Sequence, residues 1–192
     1  MKTFKVFVPV FLLLIILTAC ITPDIVSAES VSDKVLRLHI LANSDSAEDQ
    51  NIKLGLKNYF LNNTQELFTG KTIDDNVRIA QNNKNNIEAI CNDYLKDYGK
   101  TASVTIDKEF FNTRVYDDFT LPAGVYNSVR ITIGEGNGHN WWCIVFPSVC
   151  LNSCSESMSE YLTEDEMELV SSGYTPKFKI IEIYEKIKDR LL

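Results

Sequence analysis

Residues 35–50 read VLRLHILANSDSAEDQ, and within this stretch the chain changes from the period of a strand to that of a helix. In its first part apolar and polar residues alternate: Leu36, Arg37, Leu38, His39 and Ile40. Asn43-Ser44-Asp45-Ser46 then interrupts the alternation with residues that favour turns and helix N-caps. The stretch therefore predicts a strand, a turn and a helix, with Arg37 and His39 on a solvated outer face of the strand.

Two helices are predicted after this strand. Apolar residues recur at helical spacing over residues 46–68, until Thr69-Gly70 interrupts the run. A second run covers residues 72–98, with Thr72 as a candidate N-cap and Gly99 as the residue that ends the helix.

Three more strands are predicted from segments of period two. They cover residues 101–107, 122–133 and 141–146, and the last two are joined through the glycine-rich turn 134–138. Together with the helices, these elements predict an α+β domain. We expect an antiparallel sheet of about four strands, with two long helices packed on one face of it.

The C-terminal segment 152–192 begins as an acidic loop with one short helix. Phe178, Ile180 and Ile183 follow, and their spacing fits either a last strand that passes into a helix or one continuous helix. We expect this segment to pack on the domain formed by residues 29–151.

The N-terminus has the layout of a secretory leader. Lys2 and Lys5 precede the apolar run 6–17, which is shorter than the about 20 apolar residues of a membrane-spanning helix. Val26-Ser27-Ala28 fits a cleavage site, so that residues 1–28 form a signal peptide. Leu17-Thr18-Ala19-Cys20 also fits a lipoprotein leader of residues 1–19, with a lipid on Cys20, and both alternatives stay open.

The chain without this leader is acidic. Removing residues 1–28 leaves 17 basic and 25 acidic side chains, a formal charge of −8. Nucleic-acid-binding domains usually carry a basic surface, so this charge argues against nucleic acid as a partner. We also expect no cofactor, because no motif for one is present. Membrane contact is expected only through the leader or a lipid on Cys20.

Residues 134–150 combine three glycines, His139, two tryptophans and two cysteines. A Cys143–Cys150 disulfide is the favoured interpretation outside the cytoplasm. Cys143 as a nucleophile with His139 as its base is a competing one, although four residues along a strand span about 13 Å. The cysteine spacings match no familiar zinc pattern, so no metal site is predicted. Adjacent Trp141 and Trp142 are expected on opposite faces of their strand.

Several blocks of the sequence closely resemble the stage II sporulation protein R family. They are residues 37–46, Glu48-Asp49-Gln50, Pro122-Ala123-Gly124-Val125-Tyr126, Gly134-Glu135-Gly136, Asn140-Trp141-Trp142-Cys143 and Phe146-Pro147. Ser148 stands where the family usually has a second proline, and Cys91 and Cys154 look like additions. The resemblance makes these residues candidates for structural or receptor-contact roles: Arg37, Asn43, Ser44, Asp45, Asp49, Gln50, Gly124, Tyr126, Gly134, Gly136, Asn140, Trp141 and Trp142.

The resemblance implies a secreted signalling protein of endospore formation. Such a protein is released into the space between the forespore and mother-cell membranes. It triggers a membrane-embedded aspartic protease of the mother cell, which then processes a pro-sigma factor. The resemblance implies no catalytic residues, so the chain is not expected to be an enzyme. Two alternatives remain: a secreted cysteine-dependent hydrolase, and a lipid-tethered extracytoplasmic binding protein.

Overall fold

A computed structural model describes residues 2–64, 66–116, 119–147, 158–171, 173 and 175–191. Within the first helix, the side chains of residues 2–7, 13, 14, 16, 17 and 20 are not described. The helices are α1 (Lys2–Ser32), α2 (Ala47–Thr64), α3 (Ile73–Asn82), α4 (Lys84–Leu95), α5 (Glu164–Ser171) and α6 (Pro176–Leu191). The strands are β1 (Leu36–Leu41), β2 (Ala102–Phe111), β3 (Arg114–Val115), β4 (Thr120–Leu121), β5 (Gly124–Ile133) and β6 (Asn140–Phe146).

The residues predicted to begin and end the helices make the expected capping contacts. The Ser46 hydroxyl accepts a hydrogen bond from the Asp49 N–H at 3.1 Å, which begins α2. The Thr72 hydroxyl accepts from the Asp75 N–H at 3.1 Å and caps α3. The second predicted helix is divided into α3 and α4 at Asn83. Gly99, with a φ of 63°, ends the short 3₁₀ turn that follows α4.

The predicted α+β class is confirmed, but the sheet is mixed. Its strand order is β2-β5-β1-β6. β5 lies antiparallel to β2, and β6 lies antiparallel to β1. The central strands β1 and β5 are parallel, so the prediction of an antiparallel sheet is wrong for this pair. The long connection between them contains α2 to α4 and allows the chain to return in the same direction.

The sheet is buried on both faces in its central part. On one face the sheet packs against α2, α3 and α4, three helices where two long ones were predicted. We call this cluster, which includes Leu38, Ile52, Phe60 and Ile87, the helix-side core. On the opposite face a second cluster contains Val31 from the end of α1 together with residues from the strands and from the region preceding α5. A strand covered on both sides has no solvated face, which changes the environment predicted for β1.

Arg37 and His39 are therefore buried, and the prediction of a solvated outer face is wrong. Arg37 is fully buried and His39 is 3% exposed. Period-two alternation shows which side chains share a face, but it does not show whether another layer covers that face. The second cluster, which the sequence did not reveal, is the physical reason for the difference.

The C-terminal segment is helical where the sequence left two alternatives. Residues 176–191 form α6 as one helix, so the alternative of a last strand is wrong. Phe178 and Ile181 on α6 pack with Leu169 on α5 and with Ala28 on α1. Their spacing of three residues is that of a helix face. The predicted short helix in the acidic region corresponds to α5.

The end of α1 is part of the folded domain. Ala28 is 1% exposed and, with Ile25, packs against α5 and α6. Lys188 pairs with Glu29 at 2.6 Å and Lys177 pairs with Asp24 at 3.2 Å. Among the helix residues that the structure describes, no segment meets the length and apolarity of a membrane span. Cleavage after Ala28 stays a prediction, and it would cut within this cluster.

The two chains that the predicted leader cleavages would produce should differ in thermal stability. A chain beginning at Cys20 keeps Ile25 and Ala28 in the cluster, whereas one beginning at Glu29 loses both. Losing this apolar burial should lower the melting temperature of the shorter chain by about 3–6 °C. Thermal unfolding followed by circular dichroism measures the difference. Equal melting temperatures would show that the end of α1 contributes nothing to the folded domain.

Candidate interaction site at the carboxyl ends of the central strands

Two loops that the sequence singled out meet at the carboxyl ends of β1 and β5. We call residues 43–46, after β1, and residues 134–139, between β5 and β6, the signature loops. The Gly138 N–H donates to the Ala42 carbonyl at 2.9 Å, and the Asn137 N–H donates to the Asn43 carbonyl at 3.1 Å. The Glu135 N–H donates to the Asn43 side-chain oxygen at 3.2 Å. The two loops therefore form one continuous surface.

Asp49 on α2 fixes the first signature loop. Its Oδ2 accepts from the Asn43 amide at 2.8 Å and from the Ser44 hydroxyl at 2.5 Å. Its Oδ1 pairs with the Lys100 ammonium at 2.9 Å. The hydrogen bonds from Lys100, Ser44 and Asn43 hold the pKa of Asp49 far below its ordinary value of 3.8. The Asp49 carboxylate thus joins the loop, α2 and the start of β2.

Gln50 and Lys53 link the two signature loops from α2. The Gln50 amide donates to the Ser44 carbonyl at 2.9 Å. The Lys53 ammonium donates to the Gln50 side-chain oxygen at 2.6 Å and to the His139 carbonyl at 2.9 Å. Lys53 is 4% exposed, and burial lowers its pKa. Sequence reasoning missed Lys53, although its position three residues after Gln50 places both on one side of α2.

The outer part of this surface is an exposed pair of side chains. Asp45 accepts hydrogen bonds from the N–H and from the ring nitrogen Nδ1 of His139, at 2.6 and 2.5 Å. The His139 side chain is 80% exposed and that of Asp45 is 55% exposed. The hydrogen bond from the His139 side chain lowers the pKa of Asp45 most strongly. The hydrogen bonds between the two loops hold the pair in place, and its exposed side chains are accessible to another molecule.

The glycines of the second signature loop serve close contact between backbones. Gly134 and Gly136 have φ values of 54° and 67°, in the left-handed region that favours glycine. A side chain on Gly134 would overlap the Asn43 amide, and one on Gly138 would overlap the Ser44 carbonyl. The glycine cluster is therefore explained by the contact between the signature loops.

Three of the candidate residues lie on the other side of the sheet, in a buried cage around Arg37. The Arg37 guanidinium carbon lies 4.1 Å from the Phe111 ring centre and 4.9 Å from that of Tyr126. Its Nη2 donates to the Tyr116 hydroxyl at 2.9 Å. Gly124 and Tyr126 are also buried. The Phe111 and Tyr126 rings also belong to the second cluster, so Arg37 lies between the sheet and the layer that covers it.

The two tryptophans lie on opposite faces of β6, as predicted. Trp141 packs against the helix-side core, where the Lys57 ammonium lies 5.0 Å from its ring centre. Trp142 stacks on His39 with 3.7 Å between ring centres, and the Arg114 guanidinium lies 5.3 Å from its ring. Both rings are half-buried, and Asn140 at the start of β6 is exposed.

Cys143 and His139 lie in different environments. The Cys143 side chain is 7% exposed and belongs to the helix-side core, whereas the His139 side chain is exposed and pairs with Asp45. Cys150 lies outside the described residues, so that the Cys143–Cys150 disulfide stays a prediction. The Cys20 side chain is also not described. In the described part of the chain, no cluster of three or more metal-ligating side chains occurs.

We expect acidic pH to lower the unfolding free energy by protonating the Asp49 carboxylate. Because the pKa of Asp49 is lowered in the folded chain, its ionised form stabilises the fold above the unfolded pKa, and this stabilisation is lost as the pH falls. Asp49→Asn should therefore reduce the dependence of unfolding free energy on pH below about pH 4. Urea unfolding at pH 2 to 6 measures this. An unchanged pH dependence would contradict the role given to Asp49.

The fold and the site define a mixed-sheet α+β domain that presents a fixed polar surface made of two loops. The profile of the family described as stage II sporulation protein R matches residues 32–156. The chain belongs to this family. It is similar to stage II sporulation protein R of Bacillus subtilis (strain 168), with 33% identity over 153 residues. The match covers 77% of this chain and 66% of that protein, just under two thirds of its length. No solved structure matches the chain.

Proposed function

We propose that this chain is an exported signalling protein of endospore formation. It acts in the space between the forespore and mother-cell membranes and activates a membrane-embedded aspartic protease of the mother cell. That protease then removes the inhibitory pro-segment of a sporulation sigma factor. The observation that carries the proposal is the family match over residues 32–156, which includes both signature loops. The leader-like N-terminus supports the exported location.

The signature loops are the proposed contact surface for the protease. Asp45 and His139 are exposed, yet the loops that carry them are bonded to each other and to α2 through buried Asp49 and Lys53. A surface that is already ordered loses little conformational entropy on binding. This arrangement fits a protein that works by contact.

Removing the exposed pair should impair activation without unfolding the chain. We expect Asp45→Ala with His139→Ala to reduce processing of the pro-sigma factor at least tenfold, with little change in melting temperature. Arg78→Ala is the matched control, because Arg78 is a similarly exposed charged residue on α3. Immunoblots of the pro-sigma factor at equal protein levels give the measurement. Full processing of the pro-sigma factor with the double variant would show that the contact surface lies elsewhere on the chain.

The proposal includes a Cys143–Cys150 disulfide that closes the chain after β6. Loops of this size give a stabilisation of about 2–3 kcal/mol in the chain-entropy account. Peptide mapping of the full chain without reductant should recover these two cysteines in one linked fragment. A reactive Cys143 thiol in the native chain would instead favour the cysteine-dependent hydrolase.

Reconstitution tests the proposed activity. The chain, the candidate protease and the pro-sigma factor are co-expressed in a host that does not form spores, and each component is omitted in turn. We expect processing only when all three are present. Processing without the protease would assign cleavage to this chain, and processing without this chain would remove its role as activator.

A further inference from the structure

β2 is an edge strand whose outer side is only partly protected. It pairs with β5 on one side and lies at the end of the strand order. Helix α4 covers the outer backbone groups at its start. The Asn92 side chain accepts from the Ala102 N–H at 2.7 Å and donates to the Ala102 carbonyl at 3.1 Å, and Glu88 accepts from the Val104 N–H at 2.9 Å.

These caps show which backbone groups of β2 face outward. The N–H and C=O of one residue point to the same side of a strand, and the direction alternates along the chain. Because Ala102 and Val104 point away from β5, so do Ile106, Lys108 and Phe110. The Lys108 N–H bonds locally to its own neighbour, the Asp107 carboxylate, at 2.7 Å. Within the described part of the chain, residues 106–110 therefore form an open edge that lies beyond the α4 caps.

The open edge is long enough to pair with another strand. Five residues of a strand span about 17 Å. Ile106 and Phe110 are half-buried, while Asp107 and Lys108 are exposed. A groove of about 280 Å³ lies on one face of the sheet, over β2 and its partner β5, and is lined by Thr105, Asp107, Lys108, Glu109, Ser128 and Arg130. An extended chain placed beside β2 would gain backbone hydrogen bonds to the outward groups of residues 106–110.

We propose that residues 106–110 bind an extended segment of a partner protein, which adds to the sheet as a fifth strand beside β2. This goes beyond the proposed function, because it assigns a binding mode and a partner chemistry that hold whether or not the chain activates a protease. The binding is measured directly on the chain.

Charge disfavours a second copy of this chain as the occupant in the register centred on the open edge. In an antiparallel pair of β2 strands centred on the open edge, Lys108 would face Lys108 of the other copy. Asp107 would then face Glu109, again with like charge. Like charges directly opposite each other destabilise a strand pair. The open edge therefore favours a different sequence with complementary charges.

The same charges define the partner segment. Opposite Lys108 it needs an acidic residue, and opposite Asp107 a basic one. Apolar residues fit opposite Ile106 and Phe110. Lys108 pairs with Asp33 at 3.8 Å, but both side chains are more than half exposed and can exchange partners. Glu109 makes no such demand, because its less exposed carboxylate pairs with His39 at 2.9 Å and with Arg130 at 3.5 Å. Read in the antiparallel direction, the segment is apolar, any residue, acidic, basic, apolar.

Binding of a capped heptapeptide to the full chain tests this inference. The probe is Thr-Val-Thr-Glu-Lys-Val-Thr, and the control is the charge-reversed Thr-Val-Thr-Lys-Glu-Val-Thr. We expect amide NMR shifts at Ile106, Lys108 and Phe110, with the probe binding at least fivefold more tightly than the control. Equal affinities, shifts located elsewhere, or no binding at millimolar concentrations would overturn the proposal.

Variants of the edge separate backbone pairing from charge. Lys108→Pro removes an outward N–H, a change that edge strands tolerate, and should abolish binding. Lys108→Ala keeps the N–H and should weaken binding only a few fold. Exchanging the charges with Asp107→Lys and Lys108→Asp should reverse the preference between the two peptides. An unchanged preference, or a dimer that Lys108→Pro disrupts, would contradict the assignment.

Discussion

Replacing Gly138 with alanine should destabilise the folded chain by about 3 kcal/mol or more. A Cβ at this position would overlap the carbonyl group of Ser44 and the side chain of Ala42. Backbone atoms cannot turn aside as a flexible side chain can, so the signature loops would have to separate. That separation would break the bond from the Gly138 N–H to the Ala42 carbonyl. Urea unfolding of both proteins measures the loss.

Gly99→Ala is the matched control for this change. Gly99 has a φ of 63°, and no atom lies within 4 Å of the position where its Cβ would stand. The cost is then limited to backbone strain, about 1 kcal/mol. If Gly138→Ala cost no more than Gly99→Ala, the close packing of the two signature loops would be refuted.

Replacing Arg37 with alanine should have the second large effect, a loss of about 3–4 kcal/mol. Arg37 is fully buried, and its guanidinium lies over the rings of Phe111 and Tyr126. Alanine would remove both ring contacts and the hydrogen bond to Tyr116, and would leave a cavity between the sheet and its second layer. Thermal and urea unfolding measure the change.

Arg37→Met separates the volume of this side chain from its charge. The Nε and Nη1 atoms of Arg37 have no hydrogen-bond partner within the described part of the chain. Methionine keeps an unbranched apolar stem without burying a cation, so we expect its stability to lie within about 1 kcal/mol of the parent. If the methionine variant were as unstable as the alanine variant, the charge itself would support the second layer.

Local periodicity predicted most of the secondary structure. The alternation at Leu36, Leu38 and Ile40 predicted β1 and the face that meets the helices, and the adjacent tryptophans were placed on opposite faces of β6. The parallel pairing of β1 with β5 could not be predicted, because alternation is the same in both directions of a strand. The burial of Arg37 depends on a second layer contributed by distant segments.

The site was predicted as a set of residues but not as a geometry. The resemblance pointed to both signature loops. Their contact joins Asn43 to Glu135, which are 92 residues apart, and no local pattern encodes such a contact. Lys53 and Lys100 were missed for the same reason. Their role depends on where the Asp49 carboxylate and the His139 carbonyl lie after folding.

The dependence of processing on export tests the central claim most directly. Cells that make the protease and the pro-sigma factor also make this chain, with the leader intact or with residues 2–19 deleted, at equal protein levels. This deletion removes the apolar run 6–17 but keeps Ile25 and Ala28 in their cluster. We expect the pro-sigma factor to be processed with the intact leader and to remain unprocessed with the deletion. Equal processing in both strains would contradict a signal that acts from outside the mother-cell membrane.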